Sequence, residues 1–331
     1  MKKLMFVLFL LFVYFNIFAQ ERLLFTLNHN NPVLSVDYSP ISNVIITAAK
    51  SSCRYGIEVP CCHGRIYIWD AMTGRLIRDF AAHSDSIYLS YSPDGRYFVS
   101  GARSSREDIK FWDSDTYQLV HTITEEGRVE ALAYSNDGRY IAIGSSLKNI
   151  QIWDIETRTL LTTIPESGLW MQSEISFSRD GRAVFSTSGR VINIWNVETG
   201  RLLRRLTGHS RDIWRVTTNP NGLHIASGSQ DGTIKIWDID TGNNLQTINL
   251  SGTVTAITYR YDGKIIAAAV QDGYAGIGQV CIIDTDTGRI LRRFNAHEYQ
   301  ILTIKFSPDG TRVITGSNDR TLKVWDVSNI N

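Results

Sequence analysis

The chain has 331 residues, 43% of them hydrophobic and 20% charged, with a formal net charge of +1. This is ordinary globular composition. Its near-neutral balance excludes an electrostatic case for nucleic acid, whose binding is driven by concentrated lysine and arginine.

The N-terminus differs in kind from the rest of the chain. Lys2 and Lys3 precede an apolar run over 4–15, and Ile17-Phe18-Ala19 offers a small residue at a cut. The run is shorter than the ~20 residues a spanning helix needs, so residues 1–19 read as a cleaved export signal. An uncleaved anchor is the alternative, because tilting and aromatic flanks could lengthen the span. Either reading places the remainder outside the cytoplasm: periplasmic, at the cell surface or secreted, with no membrane insertion after cleavage.

Next comes Arg22-Leu23-Leu24-Phe25-Thr26-Leu27, which resembles Arg75-Leu76-Ile77-Arg78-Asp79-Phe80 and Arg201-Leu202-Leu203-Arg204-Arg205-Leu206 further along. A strand ending then returns seven times: Ile68-Trp69-Asp70, Phe111-Trp112-Asp113, Ile152-Trp153-Asp154, Ile194-Trp195-Asn196, Ile236-Trp237-Asp238, Ile282-Ile283-Asp284 and Val324-Trp325-Asp326. The intervals are 43, 41, 42, 42, 46 and 42 residues. A period near forty means one supersecondary unit copied repeatedly, each copy unable to bury its apolar faces alone. Length alone suggests two domains, but the unbroken repeat predicts a single domain over 20–331.

The fifth copy shows the unit most clearly. Its strand-like runs, 202–206, 213–218, 223–227 and 233–238, are separated by Gly208-His209, Asn219-Pro220-Asn221-Gly222 and Gln230-Asp231-Gly232. Short runs broken by Pro, Asn, Asp and Gly are hairpin-connected strands, so each unit is an antiparallel four-stranded sheet. The middle turn recurs as Ser92-Pro93-Asp94-Gly95, Ser135-Asn136-Asp137-Gly138, Ser178-Arg179-Asp180-Gly181, Arg260-Tyr261-Asp262-Gly263 and Ser307-Pro308-Asp309-Gly310. The first copy, Ser39-Pro40-Ile41-Ser42, lacks the glycine.

Gly-His opening and Trp-Asp closing a unit of this length resembles the WD40-repeat β-propellers, and the resemblance spans 22–327. It implies an all-β, seven-bladed WD40 β-propeller. Since nothing resembling an outer strand comes after Trp325-Asp326, the N-terminal segment 22–27 is expected to complete the last blade and close the ring. The resemblance also implies a hydrogen-bond set within a blade: His209, Ser227, Asp231 and Trp237 in copy five, and His297, Thr315, Asp319 and Trp325 in copy seven. A buried indole N–H and imidazole need partners, so these residues read as structural, although Ser, His and Asp together could be mistaken for a catalytic set. Copy six has Ile283 for Trp and Ala268 for Ser or Thr. Copies three and four replace Gly-His with Glu126-Gly127 and Ser167-Gly168. Those blades are expected to be held mainly by apolar packing.

Arginines on the outer strands, Arg78, Arg204, Arg205, Arg292 and Arg293, read as charge protection of exposed sheet edges, with an anionic-partner site as the alternative. Specificity on such a scaffold lies in loops. Against copy five, the second-to-third strand loops are longer by twelve residues in copy one, two in copy two and five in copy six. In a closed ring these enlarged loops crowd one sector of the top face. The fifth residue before the first turn is where WD40 relatives often present a partner contact. It reads Leu34, Glu130, Ser173, Trp214, Thr255 and Leu302, with Tyr88 the nearest equivalent in the shorter copy two. Leu34, Tyr88, Glu130, Trp214 and Leu302 are therefore the candidate partner-binding residues; for Trp214, packing between blades is the alternative. In the long loop of copy one, Cys53 with Cys61 or Cys62 reads as a local disulfide in an exported chain. Free thiols are the alternative, and the contiguous Cys61-Cys62-His63 fits separated zinc ligand pairs poorly. Cys281 reads as a buried free thiol.

The sequence has no Walker-type glycine loop, no His-Glu-x-x-His, no Gly-x-Ser-x-Gly elbow and no repeated acidic ligand set. Gly273, Gly276 and Gly278 read as flexible loop glycines. The expectation is a noncatalytic scaffold, with no cofactor and no metal, that binds a protein or peptide on its top face. The alternative is a propeller enzyme or small-ligand binder at the channel mouth, for which Glu130 and Glu174 are the one carboxylate pair to nominate.

Overall fold

The structure is a computed structural model that describes residues 22–49, 64–104, 108–124, 127–147, 149–166, 174–273 and 276–330. The 28 elements found among them are all strands, arranged as seven antiparallel four-stranded sheets. The expected signal at 1–19 and the loop carrying Cys53, Cys61 and Cys62 lie outside the described residues.

Each sheet is one blade, with an inner strand at the channel and an outer strand at the rim. The inner strands of blades one to seven are Val33–Tyr38, Ile87–Tyr91, Val129–Tyr134, Ile175–Phe177, Ile213–Thr218, Thr253–Tyr259 and Ile301–Phe306. Each packs against the next, and the seventh packs against the first. Blade seven is completed as the repeat predicts. Its strands Ile301–Phe306, Arg312–Ser317 and Thr321–Asp326 are joined by Arg22–Asn28, which pairs antiparallel with Thr321–Asp326 from Arg22 opposite Asp326 to Asn28 opposite Thr321. The ring is thereby closed by main-chain hydrogen bonds between the two ends of the repeat region.

Burial tracks position in the blade. The second strand of blade six, Ile265–Gln271, is buried at every residue, whereas the outer strand Leu202–Thr207 of blade four buries Leu206 alone. The core lies between sheets: Phe185, Ile192, Ile194 and Leu206 of blade four pack with Ile213, Val216, Ile225 and Trp237 of blade five. Each such side chain contributes about 1.5–3 kcal/mol on leaving water, and none could be buried by its own sheet alone.

The recurring turns have a common physical basis. In the turn of blade two, Ser92 Oγ donates to Asp94 Oδ1 at 2.6 Å and accepts from the Tyr97 N–H at 3.1 Å, while Gly95 takes φ 69°, the left-handed region that suits glycine. Blade one manages without the glycine because the Ser42 N–H and hydroxyl both turn back to Ser39 Oγ. The acidic residue of the Trp-Asp ending closes the next turn: Asp70 Oδ1 accepts from the backbone N–H groups of Met72 and Thr73 and from the Thr73 hydroxyl. Those bonds hold its carboxyl below the usual range.

Two expectations need correction. Arg78 and Arg204 do more than guard an edge. Arg78 donates to the Thr116 carbonyl, and Arg204 to the Thr241 and Asp240 carbonyls, each in the turn just after the Trp-Asp ending of the next blade. Blade four, in turn, is not held by apolar packing alone. Glu166, 3% exposed, accepts from Ser186 Oγ at 2.7 Å and Asn193 Nδ2 at 2.8 Å, and Trp195 Nε1 donates to Ser186 Oγ at 2.9 Å. A buried carboxylate thus stands in for the missing histidine. Blade six matches the expectation, with Leu250, Ala268, Cys281 and Ile283 in one apolar cluster. There burial pushes the Cys281 thiol up to about 11, an inert thiol rather than a nucleophile.

Candidate functional site at the channel mouth

The predicted hydrogen-bond sets form inside the blades. Trp237 Nε1 donates to Ser227 Oγ at 2.8 Å, His209 Nε2 lies 2.8 Å from the same hydroxyl, and His209 Nδ1 lies 2.8 Å from Asp231 Oδ2. Burial lowers the His209 pKa against the opposing pull of Asp231. The imidazole is therefore neutral, with its proton on Nδ1 facing the acceptor-only carboxylate and Nε2 accepting from Ser227. His297, Thr315, Asp319 and Trp325 repeat the arrangement in blade seven. Burial alone would raise Asp319, but hydrogen bonds from His297 and Thr321 hold it at about 2. Every partner in these sets is used within the blade, so they are structural.

Two further sets escape the Gly-His pattern. His29 with Thr47 and Trp69, and His83 with Ser100 and Trp112, share one hydroxyl in the same way, and His29 Nδ1 faces the Leu27 carbonyl where His209 and His297 face an aspartate. His29 and His83 come after Asn28 and Ala82 instead of glycine. Their signal in the sequence is the histidine itself, at or just past the end of an outer strand.

The five inner-strand positions Leu34, Glu130, Trp214, Thr255 and Leu302 share a backbone feature. Each is the extra residue of a β-bulge, falling between paired neighbours: Val33 and Ser35, Val129 and Ala131, Ile213 and Arg215, Val254 and Ala256, Ile301 and Thr303. A bulge re-aims a side chain and adds local twist. Blade two, one residue shorter, pairs without a bulge, and Tyr88 sits in regular register opposite Gly101. Ser173 lies outside the described residues.

These positions end in different surroundings. Leu34, Tyr88 and Leu302 line a channel cavity of about 230 Å³ together with Glu174, Arg215 and Lys305. Arg215 reaches across the channel from blade five and donates to the Leu302 carbonyl of blade seven at 2.9 Å. Glu130 is 5% exposed and accepts from Arg103 Nε at 3.2 Å, so it is a paired buried charge rather than a solvated one. Glu174 lies 3.7 Å from Arg215 Nε; its Oε2 has no hydrogen-bond partner, and burial pushes the carboxyl up. Deeper, Asp37 accepts from the Tyr91 and Tyr38 N–H groups; burial raises it and Lys305 opposes the rise. Trp214 is half-buried, and it lines a separate top-face groove with Arg211, Gln230, Asp272 and Gln300. No group of three metal-ligating side chains occurs among the described residues, and no helix there is long and apolar enough to cross a membrane.

The family model described as WD domain, G-beta repeat, matches residues 21–70, 74–113, 117–154, 200–238 and 288–326, more than half of the chain. The chain belongs to the WD40-repeat family. The stretches this WD40 chain shares with curated relatives are partial. It is 31% identical over 146 residues to WD repeat-containing protein SL1-17 of Schistosoma mansoni, covering 44% of this chain and 46% of that protein. It is 30% identical over 167 residues to a guanine nucleotide-binding protein subunit beta of Oryza sativa subsp. japonica, covering 46% and 43%. With eukaryotic translation initiation factor 3 subunit I of Emericella nidulans it shares 25% identity over 211 residues, covering 48% and 63%. The matched stretches thus span less than two thirds of each relative. Copies four and six, which lie outside the stretches matched by the family model, are those with Glu166 for histidine and with Ile283 for tryptophan.

Proposed function

We propose that this WD40 propeller is an exported, noncatalytic scaffold that docks a protein or peptide on its top face, around the channel mouth. The observation that carries the reading is the ring of bulges. The residues that repeat from blade to blade are consumed by the fold, while the bulged residues vary around the ring: Leu34 and Trp214 stay partly exposed, at the channel cavity and the adjoining groove, and Glu130, Thr255 and Leu302 are buried. Among them Trp214 is the aromatic anchor, a residue type that concentrates binding energy at interfaces. Two of the relatives carry the word subunit in their names, which agrees with a role in assembly. Residues 1–19 supply the reading of export.

A small-ligand or enzymatic site in the channel is the second reading, favoured by the unbonded Glu174 Oε2. It is weakened by Glu130, which Arg103 already holds, so that the two nominated carboxylates do not form a free pair.

Mass measurement of the chain from its native cell, with fractionation, is expected to find a mature start at Gln20 outside the cytoplasm; an intact Met1 in the cytoplasmic fraction would refute export. Crosslinking pulldown is expected to lose partners on Trp214→Ala, by tenfold or more in recovery for an anchor worth about 2 kcal/mol. Identical partner lists would dispose of the top-face site.

A further inference from the structure

The decayed sixth copy leaves a carboxylate with nothing to do. In blades five and seven, Ser229 and Ser317 end the second strand opposite Ile213 and Ile301, and two residues later Asp231 and Asp319 accept a hydrogen bond from the histidine. In blade six the equivalent strand position is Val270, opposite Val254, and two residues later stands Asp272. The histidine that should face it is absent. His209 and His297 lie three residues beyond Leu206 and Phe294; three beyond the equivalent Ile248 is Ser251. Asp272 is exposed and makes no hydrogen bond or ion pair among the described residues.

The carboxylate opens onto the groove that Trp214 lines, a cavity of about 510 Å³ running over blade six between blades five and seven. Its bed is low because two glycines meet there. Gly232 takes φ 81°, and a Cβ on it would stand 3.2 Å from the Gly252 N; a Cβ on Gly252 would stand 2.9 Å from the Gln271 carbonyl. Asp231 also lines the groove, but its oxygens are taken by His209, the Ser210 N–H and Thr233. That leaves Asp272 as the available carboxylate, Trp214 as the available aromatic, and the amides of Gln230 and Gln300 along the walls.

We infer that this groove binds an extended peptide segment through one lysine or arginine side chain, its cation paired with Asp272 and its aliphatic stem or guanidinium against Trp214. An indole and a carboxylate together suit a cation that a carboxylate alone in water would hold weakly. Arg211 and the Gln230 amide suit main-chain carbonyls and amides of the same segment; Gln300 Oε1 already accepts from Asn318 Nδ2, which leaves its Nε2 amide to face the groove. The inference rests on the top-face reading and adds the chemistry of the partner.

The test is selection of a phage-displayed random dodecapeptide library on the folded mature chain, with titration of the enriched synthetic peptides. The expected result is enrichment of peptides bearing lysine or arginine, with affinity falling about tenfold in Asp272→Asn and in Trp214→Ala and kept in Asp272→Glu. The melting temperature of Asp272→Asn should be unchanged, since the side chain supports nothing in the fold. Enriched peptides without a basic residue, or indifferent to Asp272→Asn, would overturn the basic-peptide chemistry; sensitivity to Trp214→Ala would then leave the top-face reading standing. No enrichment, or peptides indifferent to both substitutions, would overturn both.

Discussion

An indole N–H or an imidazole between packed sheets costs about 1–3 kcal/mol when left without a partner, and most blades of this protein meet that demand with one shared hydroxyl. Ser227, Thr315, Thr47, Ser100 and Ser186 each accept a tryptophan N–H. In the set of His29, burial lowers the imidazole pKa to about 4 from an unfolded value of 6.5, with only the Leu27 carbonyl pulling the other way. The unfolded chain therefore binds a proton at this site at a higher pH than the folded chain does. Stability from the site is complete above pH 6.5 and is lost as pH falls toward 4, by on the order of 3 kcal/mol. Denaturant titrations between pH 7 and pH 4 should show this loss, and His29→Asn should flatten it; equal slopes in the two proteins would contradict the assignment. His209 and His297 differ in how plainly they announce themselves: glycine before histidine marks the first, and spacing to Trp325 the second. His29 and His83 carry only the histidine as a signal and Glu166 carries none, because the requirement is for a buried polar group meeting a hydroxyl, and neither the residue before it nor its own type is fixed.

Among the elements, the outer strand Arg22–Asn28 is the one that closes the ring. It covers Val324 and Trp325 of blade seven and buries Leu27 among Val36, Tyr38 and Trp69 of blade one. Removing residues 22–27 should expose the edge of Thr321–Asp326, cost about 4 kcal/mol in apolar burial and lower the melting temperature of the whole domain. An unchanged melting temperature would sink the closure model. Its likeness to the segments at 75–80 and 201–206 made this strand readable from the chain alone. The bulges were readable only in part. The spacing to the first turn located all five bulged residues and the shortened copy two, but the backbone irregularity itself comes from pairing against a second strand one residue shorter. The inter-blade bonds of Arg78 and Arg204 were hidden for a similar reason: they depend on a neighbouring blade whose turn is brought within reach of the rim only when the sheets assemble.

For the whole molecule, comparison between copies separates what the ring requires from what it leaves open. Seven blades, their order and their closure are set by period and strand endings. The mouth is less directly encoded, because Glu130, Glu174, Arg103 and Arg215 come from four different segments and meet only once the ring has formed. Copy six carries both outcomes: apolar packing replaces its hydrogen-bond set, and the aspartate so released faces the groove beside Trp214. The central claim is that the top face is the working surface. Its most direct measurement is site-specific photo-crosslinking in the native cell from a benzoylphenylalanine placed at Gln300 in the groove, against one placed at Tyr261, 63% exposed in the first turn of blade six on the opposite face. Adducts from Gln300 and none from Tyr261 are predicted; adducts from Tyr261 alone, or equally from both, would contradict the account.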